Sequence, residues 1–233
     1  MSRSHALAAN ILAALAIAGC AESPQNPVQV PPLQAEGPNA ELRVKMDPAH
    51  GRRWVLGWEA AVAYEDTSGR FIRRVPLTGA SLSGARDTCR PDLLVSRSGA
   101  VIVSSNAEPV LWRIDPASFE VRRYDIALDS DASKDFGFSA LAWDADESVL
   151  YAASAITGTL WRIDLGSAAA RKIALTSPVW GACALAAFKS TAGRQTLVVS
   201  TRGGTAPRRI WLAAELDRGQ VSDPGESVFG ALR

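Results

Sequence analysis

SRSGAVIVSSNAEPVLWRID, residues 96–115, returns in altered form as DADESVLYAASAITGTLWRID, residues 144–164. The closing LWRID is identical at 111–115 and 160–164, an interval of 49 residues. Each copy has the same order: a turn (96–99 and 144–147), an apolar run (100–105 and 148–154), then LWRID. Upstream stand the short runs 93–95 and 140–143; downstream, past another turn, stand the alternating runs 120–126 and 170–175. Short runs rich in β-branched and aromatic residues, bounded by Gly, Asp, Ser and Pro, predict strands.

The same order recurs, more worn, on either side. In front, 42–46, 54–58, 62–64 and 71–77 fill the slots; behind, 183–188, 196–200, 209–212 and a weak 220–221 do so. A unit of short strands repeated every 40–50 residues predicts an all-β fold, a small β-propeller of about four four-stranded blades. The repeats are expected at roughly 42–77, 91–127, 139–175 and 183–222. One such sheet has two apolar faces and cannot cover both, so the units stack radially. Seven tryptophans suit that packing, with Trp112 and Trp161 at equivalent slots. Four blades form either a closed ring or an arc closed by oligomerisation, because open edges invite pairing.

The stretch SRSGAVIVSSNAEPVLWRIDPASFEV resembles the blade unit of YVTN-type and gluconolactonase-like bacterial propellers. The resemblance implies the architecture and leaves activity open, because propellers host unrelated functions. Those families usually have six or seven blades. A gluconolactonase-like metal site implies Glu, Asn and Asp on inner strands or top loops; Asn106 fills one comparable slot, and the rest find no match.

The start, MSRSHALAANILAALAIAGC, reads as a signal peptide over 1–19. Arg3 gives a positive start, and 6–18 is an apolar stretch of 13 residues. As a helix it spans roughly 20 Å, short of a bilayer core of about 30 Å. Residues 17–20, IAGC, resemble the bacterial lipobox, which implies cleavage before Cys20 and lipidation of its thiol with acyl chains such as palmitate. Ala21 is not the Asp that often retains such lipoproteins in the inner membrane. The expected address is the cell envelope, lipid-anchored, with the outer membrane favoured over the inner and exposure to periplasm or surface. Residues 20–41 form a tether holding five of thirteen prolines. Pro fixes φ and lacks an N–H, so this stretch favours extended segments.

Charge excludes one class of partner. Without Arg3 the chain has 24 basic and 24 acidic residues, and no basic excess for nucleic acid. Chemistry is sparse too. Of two histidines His5 leaves with the signal, and His50 stands alone in a turn, so no Ser–His–Asp triad forms around a G-x-S-x-G string. No C-x-x-C pair offers a zinc or haem site. Asp129, Asp131, Ser133 and Asp135 have Ca²⁺-like spacing, but Lys134 stands where a calcium loop has Gly and no Glu completes the set. No catalytic residue, metal site or cofactor is therefore expected.

A propeller gathers two sets of loops on one face: those between units (78–90, 129–138, 176–182) and those joining second to third strands (57–61, 106–108, 202–207). Binding residues are expected there, namely Arg90, Asn106, Phe138, Trp180 and Arg202, with Arg86 and Phe136 nearby. Phe138 and Trp180 have an alternative role as channel plugs. Export puts Cys89 and Cys183 in an oxidising compartment, each near the start of an inner strand, so a disulfide between them is weighed against two buried thiols. The function expected is a membrane-anchored binding or assembly module for an envelope protein or glycan, with homo-oligomerisation open. The alternative is a metal-dependent lactonase-like hydrolase.

Overall fold

The computed structural model describes residues 42–82, 89–129, 136–190, 193–204, 206–213 and 215–222. The signal, Cys20, the tether and Arg86 lie outside them. The described residues are all strand, turn and loop. Blade 1 comprises β1 (Arg43–Asp47), β2 (Arg52–Leu56), β3 (Ala60–Glu65) and β4 (Phe71–Pro76). Blade 2 comprises β5 (Leu93–Val95), β6 (Val101–Ser104), β7 (Val110–Ile114) and β8 (Val121–Asp125), followed by the short β9 (Ala127–Leu128). Blade 3 comprises β10 (Ala140–Trp143), β11 (Leu150–Ala153), β12 (Leu160–Asp164) and β13 (Ala169–Leu175). Blade 4 comprises β14 (Ala182–Lys189), β15 (Gln195–Thr201), β16 (Arg208–Leu212) and β17 (Arg218–Val221). Each blade is an antiparallel meander in chain order. The fold is the expected propeller of four four-stranded blades.

The LWRID repeat shows why the blades stack. In β7 Trp112 packs back against blade 1, while Leu111 packs forward against blade 3. In β12 Trp161 packs back against blade 2, while Leu160 packs forward against blade 4. Two adjacent letters thus serve opposite faces, as strand alternation requires. Both indoles are almost wholly buried. The three apolar clusters are the junctions of blades 1 and 2, 2 and 3, and 3 and 4. Among the described residues no such cluster joins blade 4 to blade 1.

The rim is laced as well. β9 pairs in parallel with β13, Ala127 opposite Ala169 and Leu128 opposite Ala170. β13 pairs in parallel with β17, Ala174 opposite Arg218 and Leu175 opposite Gly219. Blades 3 and 4 are therefore one continuous sheet with β9 attached, which the strand pattern of the sequence does not foretell.

The inner strands begin together at one face of the propeller, the first face. There the Asp92 carboxylate accepts the N–H groups of Leu93 and Leu141, each at 2.9 Å, tying β5 to β10. Arg43 reaches from β1 to Asp92 at 3.4 Å and donates to the Cys183 carbonyl at 2.9 Å. Ser139, ahead of β10, donates to the Ala182 carbonyl at 2.6 Å. Cys89 and Cys183 form a disulfide, with Cα atoms 5.0 Å apart, that joins blades 2 and 4.

The disulfide closes a loop between residues 94 apart. Long loops lose the most unfolded-state entropy, so the double change Cys89→Ser/Cys183→Ser should cost about 4 kcal/mol in a non-reducing urea titration. An unchanged midpoint would show that the bond is not a staple. Burial pushes the Asp92 carboxyl above its ordinary 3.8, against the opposing pull of the Leu141 N–H, Lys45, Arg43 and the Leu93 N–H. The folded chain therefore holds this proton more tightly than the unfolded chain does. The resulting stability is fully present below 3.8 and is lost as pH rises through the folded value. Against an Asp92→Asn reference, the wild-type protein should gain stability as the pH falls from neutral towards 3.8, as read by thermal melts across pH. A difference that does not vary with pH would refute this.

Candidate functional site

The first face gathers three of the five residues expected to bind. Trp180 is 60% exposed. It protrudes because the loop beneath it is pinned: the Val179 N–H donates to the Gly158 carbonyl and the Gly181 N–H to the Ala155 carbonyl, both at 2.8 Å. Gly158, at φ +65°, makes that close approach possible. A Cβ there would lie 2.9 Å from Val179 N and 3.0 Å from Trp180 N. The loop thus presses down on Gly158 while its indole is turned out.

Arg202 stands beside it, its N–H donating to the Gly181 carbonyl at 2.8 Å. Cys89 Sγ lies 3.3 Å from that same carbonyl. Arg90 is exposed and directly follows Cys89. The disulfide thereby draws Arg90 from blade 2 to the Trp180–Arg202 edge of blade 4. The result is an indole and two guanidinium-bearing side chains on braced backbone.

Phe138 and Asn106 do not belong to this surface, and here the structure corrects the expectation. Phe138 is fully buried and packs in the cluster between blades 2 and 3. Its N–H donates to the Ser105 carbonyl at 2.6 Å. Gly137 before it has no room for a Cβ, which would meet the Ser105 oxygen at 2.3 Å. Asn106 is buried, and its Nδ2 donates to the Cys89 carbonyl at 2.9 Å. Both residues hold up the face from below, and Asn106 does so by fixing the backbone of the disulfide. Phe136 is half-buried.

His50 lies on the opposite, second face. It pairs at 3.0 Å with the Asp47 carboxylate, whose side chain is fully buried. The ring crowds Gly99 of blade 2, where a Cβ would fall 2.2 Å from Nδ1. It is an exposed turn residue, tied to Asp47. Asp131, Ser133 and Asp135 lie outside the described residues. Asp129 lies alongside β13 and accepts the Lys172 N–H at 2.9 Å. Among the described residues no three His, Cys, Asp or Glu side chains converge as a metal site.

A cleft of about 970 Å³ opens between blades 3 and 4. Asp144, Ser148 and Val149 line one side; Lys189, Gln195 and Leu212 line the other. Lys189 bridges it to Asp146, and the pair holds the Asp146 carboxyl below its ordinary range and the Lys189 ammonium above its own. Gln195 is 8% exposed, and its Nε2 has no partner among the described residues. Deeper in the same junction Tyr151 is pushed up to about 12, chiefly by burial and then by Asp144, so its hydroxyl remains a donor. The cleft's charged rim comes from in and beside two turns, 144–147 and 190–194, and nothing in either turn signals that they meet.

No family model and no curated protein sequence matches the chain. Solved structures do. Virginiamycin B lyase from Staphylococcus aureus is similar at a TM-score of 0.52 and 13% identity, over 80% of this chain and 56% of its own. Hydrazine synthase from Kuenenia stuttgartiensis is similar at 0.53 and 12%, over 77% of this chain and 47% of its own. An auxiliary nutrient binding protein from Bacteroides ovatus is similar at 0.53 and 13%, over 77% and 40%. The chain spans roughly half the length of these proteins. At such identities the likeness is one of fold: the chain is a β-propeller built like theirs.

Proposed function

We propose that this chain is an envelope lipoprotein, anchored through Cys20, whose propeller is a binding or assembly module. The first-face patch of Trp180, Arg90 and Arg202 is its contact surface. Its partner is an envelope protein or glycan bearing carboxylate or phosphate groups. Trp180 carries this reading: a large aromatic side chain on a braced loop gains nothing by packing where it stands, and such residues anchor interfaces. Guanidinium groups beside it suit bidentate recognition of planar anions. The Cys89–Cys183 disulfide supports an oxidising, exported setting. The auxiliary nutrient binding protein of Bacteroides ovatus, with the same fold, is in keeping with a binding role.

The test is recovery of partners from native envelopes with the full-length lipoprotein in detergent. Trp180→Ala and Arg202→Ala should each reduce partner recovery at least tenfold while shifting stability by under about 0.5 kcal/mol, as surface changes do. Arg70→Ala and Arg73→Ala, on and beside the exposed β3–β4 turn, should leave recovery intact. Equal loss from both pairs would reduce the effect to bulk charge. Stoichiometric, tightly held Ca²⁺ or Zn²⁺ in the purified protein would favour the lactonase-like reading instead. Separately, Cys20→Ala should move the protein from the membrane fraction to an unprocessed or released form. If the variant still carries lipid and sediments with membranes, the anchor is elsewhere.

A further inference from the structure

The cleft between blades 3 and 4 opens on the second face, where the β10–β11 and β14–β15 turns lie. Its volume of about 970 Å³ is at the upper end of small-ligand sites, which span about 300–1,000 Å³. Gln195 opens β15 and pairs with Lys189, the last residue of β14, so the two side chains share one face of the blade. Two residues on, Leu197 packs from that same face into the junction with blade 3. Gln195 is therefore aimed at blade 3, across the cleft. On the opposite wall Val149 and Tyr151 are also two apart and both pack into that junction; Val149 lines the cleft and Tyr151 lies a step deeper.

Two polar groups there lack a partner among the described residues: Nε2 of Gln195, which is only 8% exposed, and the Tyr151 hydroxyl. A carboxamide buried to this depth and left unbonded is costly, and native folds rarely leave one so. The wall at Ser148 and Val149 is shared with a second cleft of about 560 Å³. That cleft is lined by the half-buried Trp143, whose Nε1–H has no partner among the described residues either.

The rim decides the charge of an occupant. Asp144 and Asp146 stand on one wall, Lys189 and Arg218 on the other. An anion would meet the two carboxylates, and a cation would meet the two basic groups. A neutral, hydroxyl-rich molecule suits both. One hydroxyl donates to Asp146 while its neighbour accepts from Lys189, and the existing ion pair stays whole. Gln195 adds a further requirement. Its carboxamide is matched by a second amide, which offers both a C=O and an N–H. Val149, Leu175 and Leu212 beside it give an apolar floor that a methyl group covers. An acetamido group supplies the C=O, the N–H and the methyl together.

We propose that this cleft binds a neutral N-acetylated oligosaccharide, with one acetamido group paired to the Gln195 carboxamide and a further ring against Trp143. It lies on the face opposite the Trp180 patch and is independent of what that patch binds. The test is isothermal titration calorimetry of the full-length protein, disulfide intact, with N,N′,N″-triacetylchitotriose as the probe. It should bind with a Kd below about 1 mM. Cellotriose, the same β-linked chain without acetamido groups, should bind at least tenfold more weakly. Gln195→Leu should weaken the acetylated probe at least tenfold and Lys189→Ala at least threefold. Arg70→Ala, at the β3–β4 turn of blade 1, should leave its affinity unchanged. In the wild type, saturating probe should slow amide exchange in 144–150 and 193–197, a readout that needs no variant to fold. Absence of wild-type binding overturns the proposal, since water then meets the buried amide. So do equal affinity for cellotriose, unchanged affinity in Gln195→Leu, and protection confined to 178–182, which would move the saccharide to the first face.

Discussion

The Arg43 guanidinium holds the propeller at its centre. It spans from the first inner strand to the Asp92 carboxylate of the second blade and the Cys183 carbonyl of the fourth. Asp92 also takes the Leu141 N–H of the third, so one ion pair, its carboxylate buried and its guanidinium side chain 25% exposed, touches every blade. Burying charge is costly, and a pair of this kind adds little net stability over a well-packed apolar alternative. Its value is geometric. Apolar clusters set the spacing between neighbouring blades, but they are non-directional and do not fix where the strand ends meet. The guanidinium, the carboxylate and the disulfide beside them do.

That arrangement explains why the candidate contact surface is where it is. Trp180, Arg90 and Arg202 come from loops on two different blades. They are neighbours because Cys89 and Cys183 are bonded and because the Gly181 carbonyl receives the Arg202 N–H. Beneath them Asn106 and Phe138 are locked from below. A surface braced in this way presents its groups with little ordering left to do on binding, which favours affinity.

Much of the fold was legible because strands announce themselves locally. Runs at 93–95, 140–143 and 160–164 became strands with those same bounds, since period-two alternation and flanking turns are properties of short windows. The two adjacent letters of LWRID even encode which face meets which neighbour. The rim lacing of β9, β13 and β17 was invisible, because main-chain pairing between separate units leaves no mark on side-chain pattern. The contact surface was half legible. Position on the first face could be inferred from topology, whereas exposure could not: Phe138 and Trp180 sit in equivalent kinds of loop, and only the crowding around Gly137 and Gly158 decides which ring is pressed in and which is turned out. The cleft at Gln195 depends on two turns meeting across a junction, which no single stretch of chain records.

The uneven lacing of the rim also divides the molecule mechanically. Blades 3 and 4 share one hydrogen-bonded sheet with β9 attached, so shearing them apart means breaking main-chain pairs together. The described contacts of blade 1 with its neighbours are of another kind: side-chain packing, Arg43, and an Arg52 hydrogen bond to the Pro116 carbonyl. Under load, packed apolar faces yield gradually, while laced strands resist and then fail at once. The chain enters the propeller through β1, so any pull from the N-terminal side reaches the compliant blade first. Blade 1, whose described ties to its neighbours are made by side chains, is therefore expected to give way to such a pull before the laced half behind it.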